Sequence, residues 1–331
     1  DEIILKILSY SEVKDLVSCG QLSKRTRNIS QDRSLWVITN LEKKIVNTEL
    51  LEMILLEGCK ILNLSNSTIV GHLRRNMITQ LRVLDLSHFG WGFPTQRMST
   101  QVYYEENMSK ILSSCCSLQN LKMEGLRITS KMADSICQNG TTLQVLNLSH
   151  SFVDDVLFDR LNHLVPNIDL LSIIKSCQEL KELDLNDTNV PNTDNEVKGL
   201  SDNDFDVLAK LISPNVERLN LSKQYFEDEN VKHILSRCNK IKVLTLEATF
   251  ITNDSLKTIR QCMNLTLEEL TLTYFAEFHL CLLELKTMAR LKILNLYNRC
   301  KNSPYKKTED KKVQDLIQQL PHLTIRTFFD Y

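Results

Sequence analysis

A leucine pattern that recurs about every 25 residues constrains the fold of this chain more strongly than any other feature. The segment CNKIKVLTLEATFITNDSLKTIRQC, from Cys238 to Cys262, alternates apolar residues with period two and then changes to helical spacing at Leu256 and Ile259. Similar segments begin at Leu81, Leu118, Leu143, Leu180, Val216, Leu267 and Leu291, with weaker copies at Cys59 and Leu320. Each unit therefore contains one short strand followed by one helix.

Each repeat has an apolar face that only neighbouring repeats can cover, so stacking builds a continuous core. The spacing resembles that of leucine-rich repeats, which have one strand and one helix per unit. We predict an α/β fold in which about ten repeats occupy residues 41–331 and form a curved, horseshoe-shaped solenoid. Because helices are wider than strands, parallel strands are expected on the concave face and helices on the convex face.

Some repeats are longer than the basic unit, which predicts inserted loops near residues 89–107 and 187–200. Both segments contain residues that favour turns. The first is rich in aromatic residues: Phe89, Trp91, Phe93, Tyr103 and Tyr104. Loops on a rigid scaffold often carry binding residues, but these aromatic rings could equally pack over the neighbouring repeat.

Three of the ten cysteines, Cys115, Cys177 and Cys238, each stand three residues before the first apolar strand position of a repeat. This placement is similar to that in cysteine-containing leucine-rich repeats, where the helix returns toward the strand. Free cysteine behaves as a small apolar residue, so we expect buried structural thiols in the reduced state. A zinc site is the less favoured alternative.

The first forty residues differ from the repeats and predict a separate module of three short helices. Ile3, Ile4, Ile7 and Leu8 share one face of the first helix, and the segment VKDLVSC adds further apolar positions. A unit of about forty residues is near the lower limit for independent stability and cannot readily bury all of these side chains. Part of this apolar surface therefore requires a partner.

The segment EIILKILSYSEVKDLVSCGQLSKRTRNISQDRSLW resembles the F-box over its whole length. The similarity lies in the Glu2-Ile3 start, Asp15-Leu16, the Lys24-Arg25 pair and the final Ser34-Leu35-Trp36. Ser11 and Thr26 stand where the family usually has an aliphatic residue and Trp. With the repeats, the chain resembles an F-box/leucine-rich-repeat protein, with the F-box in residues 1–40.

In that family the F-box docks onto the adaptor protein of SCF ubiquitin ligases, which is tethered to a cullin and a RING subunit. The repeats select the protein substrate for ubiquitination, and the subunit itself is not catalytic. The resemblance implies adaptor-binding residues on the three helices and the segment after them: Ile3, Ile7, Leu8, Leu16, Val17, Leu22, Leu35 and Trp36. Buried aromatic residues are common interface anchors, although Trp36 could instead pack the F-box onto the first repeat.

Substrate binding is predicted on the concave face, where the residues between the strand leucines project outward. The column is polar but not basic, and acidic and aromatic residues become frequent in the middle and late repeats. An acidic surface with aromatic anchors fits a protein ligand with basic residues. The predicted substrate-binding residues are Asp184, Asn220, Glu247, Glu269, Thr271, Tyr274 and Tyr297.

The charge balance argues against nucleic acid and membrane partners. Forty Lys and Arg residues oppose 41 Asp and Glu, and no apolar run approaches the length of a bilayer span. No phosphate-binding glycine loop or metal motif is present, so we predict no catalytic, metal or cofactor site, and a cytoplasmic or nuclear location. The alternatives are an interaction scaffold that acts without ubiquitin transfer and a repeat-domain enzyme.

Overall fold

The structure is a computed structural model. It describes residues 1–74, 77–89, 98–153, 168–191, 197–198, 200, 202–224, 227–249, 251–274, 282–298 and 314–329. The chain divides into two compact units, Asp1–Val145 and Leu146–Tyr331. Within the described ranges, no helix has the length and apolar content needed to cross a bilayer.

The first unit begins with helices and then alternates strands with helices. The α-helices of the first unit are α1 (Glu2–Leu8), α2 (Val13–Leu22), α3 (Lys24–Ser30), α4 (Thr48–Leu56), α5 (Met98–Ser113) and α6 (Ser130–Asn139). Its strands are β1 (Ile38–Asn40), β2 (Ile45–Asn47), β3 (Ile61–Asn63), β4 (Thr68–Val70), β5 (Val83–Asp85), β6 (Asn120–Lys122) and β7 (Arg127–Ile128). Short 3-10 helices occur at Arg33–Leu35 and Gly140–Thr142, and β8 (Val145–Asn147) contains the boundary between the units.

The second unit continues the alternation. Its α-helices are α7 (Ile168–Ser176), α8 (Asp202–Leu211), α9 (Asp228–Arg237) and α10 (Asn253–Met263), with a 3-10 helix at Leu282–Thr287. Its strands are β9 (Phe152–Val153), β10 (Glu182–Asp184), β11 (Val190–Pro191), β12 (Val197–Lys198), β13 (Arg218–Asn220), β14 (Val243–Leu246), β15 (Glu269–Tyr274), β16 (Ile293–Asn298) and β17 (Thr324–Phe329).

The main strands pair in parallel within each unit, as the repeat predicted. In the first unit β1, β3, β5 and β6 pair in that order, and in the second β10 and β13 to β17 form a large parallel sheet. The central leucines align across neighbouring strands, as with Leu219 opposite Leu244, and are almost completely buried. Leu219 and Leu244 share a small internal cavity with Val231 and Ile234 of α9, so the helices cover this face of the sheet.

The other face, here termed the open face, carries the residues on either side of the central leucines. In six three-residue strands the last residue is Asn or Asp, and its side chain accepts a hydrogen bond of 2.8 to 3.1 Å from the main-chain N–H two residues later. The six residues are Asn40, Asn63, Asp85, Asn147, Asp184 and Asn220. Such local bonds favour turns over continued strand, so these residues end their strands.

The same column holds Lys122 in β6 and Thr245 in β14, and the residue three positions after it adopts a positive φ in eight successive repeats. The seven that are not glycine have φ between 52° and 58°, and His88, at 53°, is one of them. The eighth is Gly125, with φ 70°, where an added Cβ would lie 2.4 Å from the His88 ring. The same left-handed backbone conformation is thus repeated along the chain by residues of different chemical types.

A row of alternating charges lies immediately before the strands of the second unit. Lys181, Glu217, Lys242, Glu268 and Lys292 occupy equivalent positions, and main-chain hydrogen bonds of 2.7 or 2.8 Å join each to the next. The Lys242 ammonium donates to the Glu217 carboxylate at 2.7 Å, and the Lys292 ammonium donates to Glu268 at 2.6 Å. We term these five residues the charge ladder.

The helices are fixed by side-chain caps that also join neighbouring repeats. The Asp228 carboxylate, at the start of α9, accepts hydrogen bonds from the main-chain N–H and hydroxyl groups of Thr252 and Ser255 at the start of α10. A carboxylate is favourable at a helix N-terminus, where the N–H groups have no partner within the helix. Asp228 therefore stabilises the packing of α9 on α10.

Two sequence predictions about insertions need adjustment. The loop expected over residues 89–107 is wrong for residues 98–107, because α5 begins at Met98 and buries Met108, Ile111 and Leu112. Trp91 and Phe93 lie outside the described residues. The insertion at 187–200 contains the short antiparallel pair β11 and β12.

The predicted structural role of the repeat cysteines is confirmed. Cys115, Cys177 and Cys238 are free thiols that are completely buried. Burial raises the pKa of the Cys115 thiol to about 11 and that of Cys238 to about 12. The Cys115 and Cys238 thiols therefore stay protonated, and all three cysteines pack as small apolar groups.

Candidate functional site

Large apolar side chains are exposed on the first two helices. Ile3, Ile7 and Tyr10 follow one another at helical spacing along α1 and just beyond it, and Ile3 and Tyr10 are each 78% exposed. Val17 and Leu22 of α2 are also exposed. We term these five residues the N-terminal apolar set. Adjacent exposed apolar residues typically mark a surface that a partner covers.

Ion pairing and capping hold the helices that carry this set. Arg25, in the first turn of α3, pairs with Asp1 at 2.7 Å, so the start of α3 lies beside the start of α1. Leu22 stands three residues before Arg25, so the ion pair between Asp1 and Arg25 places Leu22 at the same end of the domain as Ile3. The hydroxyls of Ser23 and Thr26 cap each other's main-chain N–H groups. Thr26, a departure from the family pattern, therefore helps to begin α3.

The core beneath these helices includes Trp36, which is only 2% exposed. Its indole Nε1 donates a hydrogen bond of 2.8 Å to the main-chain carbonyl of Ser30, at the end of α3. Leu8, Leu16 and Leu35 are also buried. A buried aromatic ring with its N–H group satisfied contributes mainly to internal packing.

The predicted adaptor-binding residues thus divide into two groups. Ile3, Ile7, Val17 and Leu22 are exposed and available to a partner, whereas the other four, Leu8, Leu16, Leu35 and Trp36, are buried. The burial of Trp36 agrees with the alternative in which it packs the F-box onto the first repeat, and its main-chain carbonyl accepts a hydrogen bond of 2.9 Å from the Thr39 hydroxyl of β1. Tyr10 was missed by the sequence reasoning, although its position seven residues after Ile3 places it on the same helical face.

A cleft of about 750 Å³ adjoins the N-terminal apolar set within the first unit. Val13, Leu16 and Val17 of α2 form one side, and Ile38 and Ile45 of the first two strands form the other. The cleft therefore lies between the helical module and the first repeat, and Val17 belongs to both the cleft and the apolar set.

A comparison with protein families gives one match for this region. Residues 1–38 match the family model described as F-box-like. Helices α1 to α3, of which the first two carry the N-terminal apolar set, are therefore an F-box-like domain, which supports assignment of the chain as an F-box protein. F-box domains bind the adaptor of SCF ubiquitin ligases, and F-box proteins are typically non-catalytic substrate adaptors.

The predicted substrate-binding residues lie on or next to the open face, but several have structural roles. Asp184 and Asn220 lie opposite each other on β10 and β13, and both form strand-ending turns. The Asn220 amide also donates to the Asp184 carboxylate at 3.2 Å. Glu247 follows β14, and its main-chain N–H donates to Ser222 at 3.0 Å. The polarity of this column is therefore explained in part by the repeat itself.

The open face changes character on the last three strands. β15, β16 and β17 are each six residues long and align over their full length. Thr271, on β15, occupies the column in which six earlier strands have a turn-forming Asn or Asp, and β15 continues beyond it to Tyr274. The side chain of Tyr274 lies outside the described part of the structure, and Tyr297 is half-buried opposite Thr273.

Asn295 of β16 stands in the turn-forming column but does not form a turn. Its Nδ2 donates to Glu269 at 2.9 Å and to Thr271 at 3.0 Å. A carboxylate can only accept, so this contact fixes the orientation of the amide. Its Oδ1 is buried and has no hydrogen-bond partner among the residues that the structure describes, a state that costs about 1–3 kcal/mol.

Two histidines on the described part of the chain, His88 and His150, lie beside carboxylates. His88 lies 3.4 Å from Glu124, and His150 lies 3.1 Å from Asp187. Both occupy the positive-φ position of their repeats, which gives them a role in the turn. Among the described residues, no three His, Cys, Asp or Glu side chains are arranged to hold a metal ion.

Proposed function

We propose that this protein is the substrate-recognition subunit of an SCF ubiquitin ligase. The F-box-like domain would bind the adaptor protein, and the sheet would bind a protein substrate for ubiquitination. The observation that carries the proposal is the exposure of Ile3, Ile7, Tyr10 and Leu22 on the segment that matches the F-box-like family.

The energetics of the apolar set support adaptor binding. Burying a large aliphatic side chain contributes about 1.5–3 kcal/mol, so several such residues can anchor a stable interface. The buried residues Leu8, Leu16, Leu35 and Trp36 would then act indirectly, by positioning the exposed ones. In this proposal only the exposed set touches the adaptor.

The repeats would form the leucine-rich-repeat solenoid predicted from the sequence, with the open face as its concave surface. The proposed substrate contacts remain those predicted above, and Asp184 and Asn220 would combine a turn role with binding. The mechanism is proximity, because the ligase raises the effective concentration of substrate lysines near a charged conjugating enzyme. A cytoplasmic or nuclear location belongs to the same proposal.

Adaptor binding can be tested with two matched substitutions. Ile7→Asp places a charge in the apolar set, and Ile78→Asp places the same charge at another highly exposed isoleucine of the first unit. Both variants are co-expressed with the SCF adaptor, and complex formation is measured by size-exclusion chromatography and a dissociation constant.

We expect a one-to-one complex for the wild type and for Ile78→Asp, and at least tenfold weaker binding for Ile7→Asp. Equal unfolding free energies of the two variants would show that the loss comes from the interface. No complex with the folded wild-type chain would instead favour an interaction scaffold that acts without ubiquitin transfer.

A further inference from the structure

The open face of β15, β16 and β17 combines an acidic group, an amide and a basic group on three neighbouring strands. Glu269 lies on β15, Asn295 on β16 and Arg326 on β17, and Asn295 is paired with Arg326 in the sheet register. This arrangement goes beyond the general prediction of an acidic surface, because it has groups of both signs at defined positions.

The amide of Asn295 provides an observation that is independent of the charges. Asn295 is 7% exposed, and its Nδ2 donates to Glu269 and Thr271, while its Oδ1 has no partner in the described part of the chain. In a folded protein a buried acceptor is nearly always paired. The contact from Nδ2 therefore holds one oxygen of the half-buried Glu269 carboxylate in place, and the other oxygen can accept from a donor outside the chain.

The basic group is also available. The Arg326 side chain is exposed and makes no hydrogen bond or ion pair with another described residue. Since adjacent strands are about 4.8 Å apart, Glu269 and Arg326 lie on strands about 10 Å apart, with Asn295 between them. A ligand that spans them needs a positively charged donor at one end and an acceptor at the other.

We propose that this surface binds a segment of a protein substrate in which an arginine is followed closely by an acidic residue. The arginine guanidinium would donate to the Glu269 carboxylate, which the Asn295 amide holds in place, because a planar guanidinium matches the geometry of a carboxylate. The acidic side chain would pair with Arg326. The inference rests on the proposed function and adds to it the chemistry of the substrate.

The probe is a library of random peptides displayed on phage and selected on the purified 331-residue chain. We expect the selected peptides to share an arginine near an acidic residue. A synthetic version of the best peptide should bind at least tenfold more weakly when citrulline replaces the arginine. Glu269→Lys should cause a similar loss, whereas the exposed control Glu49→Lys should not.

Three outcomes would overturn the inference: no enriched peptide, enriched peptides without a basic residue, or equal binding to wild type and Glu269→Lys. Thermal unfolding of Glu269→Lys verifies that the sheet remains intact. Adaptor binding is measured on the same preparations. If the adaptor binds and the peptide does not, only this inference fails, and the opposite result rejects the proposed ligase role alone.

Discussion

The indole of Trp36 and the main-chain carbonyl of Ser30 are joined by a hydrogen bond of 2.8 Å inside the F-box-like domain. This bond fixes the segment after the third helix against the end of that helix. It also assigns Trp36 to the core that supports the N-terminal apolar set, so its substitution should act first on stability.

Trp36→Ala is expected to lower the free energy of unfolding of the first unit by about 3–5 kcal/mol, because a large buried ring is lost. Trp36→Phe should cost about 1–3 kcal/mol, since the Ser30 carbonyl loses its donor. Chemical denaturation followed by circular dichroism measures both, with the exposed Leu22→Ala as the control. Normal stability of Trp36→Ala combined with weak adaptor binding would make Trp36 a contact residue instead.

Asp228 should make the stability of the second unit depend on pH. Burial disfavours its charged form, but hydrogen bonds from Ser255 and Thr252 outweigh that effect and lower its pKa. A carboxylate with a lowered pKa stabilises the fold at pH values above its unfolded pKa. This stabilisation is lost as the pH falls through the folded value.

Asp228→Asn is therefore expected to cost about 1–2 kcal/mol at pH 7, with the difference from wild type shrinking below about pH 4. Urea unfolding at pH 7 and pH 3 tests this expectation, and Glu179→Gln at an exposed position of the same unit is the control. A constant difference at both pH values would exclude the carboxylate charge as the cause.

The strand-ending turns can be tested at Asn63, whose side chain accepts one hydrogen bond from the Ser65 N–H at 2.9 Å. Asn63→Ala should cost about 0.5–1.5 kcal/mol and increase exchange of the Ser65 amide hydrogen. Asn63→Asp keeps an acceptor and should retain most of the stability. If Ala and Asp have the same effect, the turn bond does not stabilise this strand end.

The charge ladder predicts a small coupling between Lys242 and Glu217, whose side chains are 2.7 Å apart and partly exposed. The hydrogen bond from Lys242 lowers the pKa of Glu217. A double-mutant cycle with Lys242→Met and Glu217→Gln should give about 0.2–1 kcal/mol at low salt and less at 1 M salt. A coupling that does not change with salt would argue against an electrostatic origin.

The repeat allowed the sequence to predict the strands, their parallel pairing and the buried cysteines. These features follow from local spacing, as in the alignment of Leu219 with Leu244. The insertion at 98–107 was not predicted as helix because its aromatic and polar composition hid the apolar positions of α5. The sequence also could not predict which of the proposed adaptor-binding residues are exposed and which are buried. Ile7 and Leu8 are adjacent, and only the packing of the helices determines that Leu8 is the buried one.

The open face shows a second limit of sequence reasoning. Asn220 and Asn295 occupy the same column and are the same residue type, yet only Asn220 ends its strand with a turn. The difference arises from the neighbouring strand, because the Asn295 amide donates hydrogen bonds to the side chains of Glu269 and Thr271. Spacing identifies the column, whereas the hydrogen bonds across strands determine what each member does.

The charge ladder also restricts how the second unit could change in length. Excision of the repeat that begins at Lys242 would bring Glu217 beside Glu268, and insertion of one unit would likewise juxtapose two groups of equal sign. Removing two consecutive repeats would restore the attraction between neighbours. The alternation therefore favours growth or shortening of this part of the chain by pairs of repeats, a form of length control that no single contact provides.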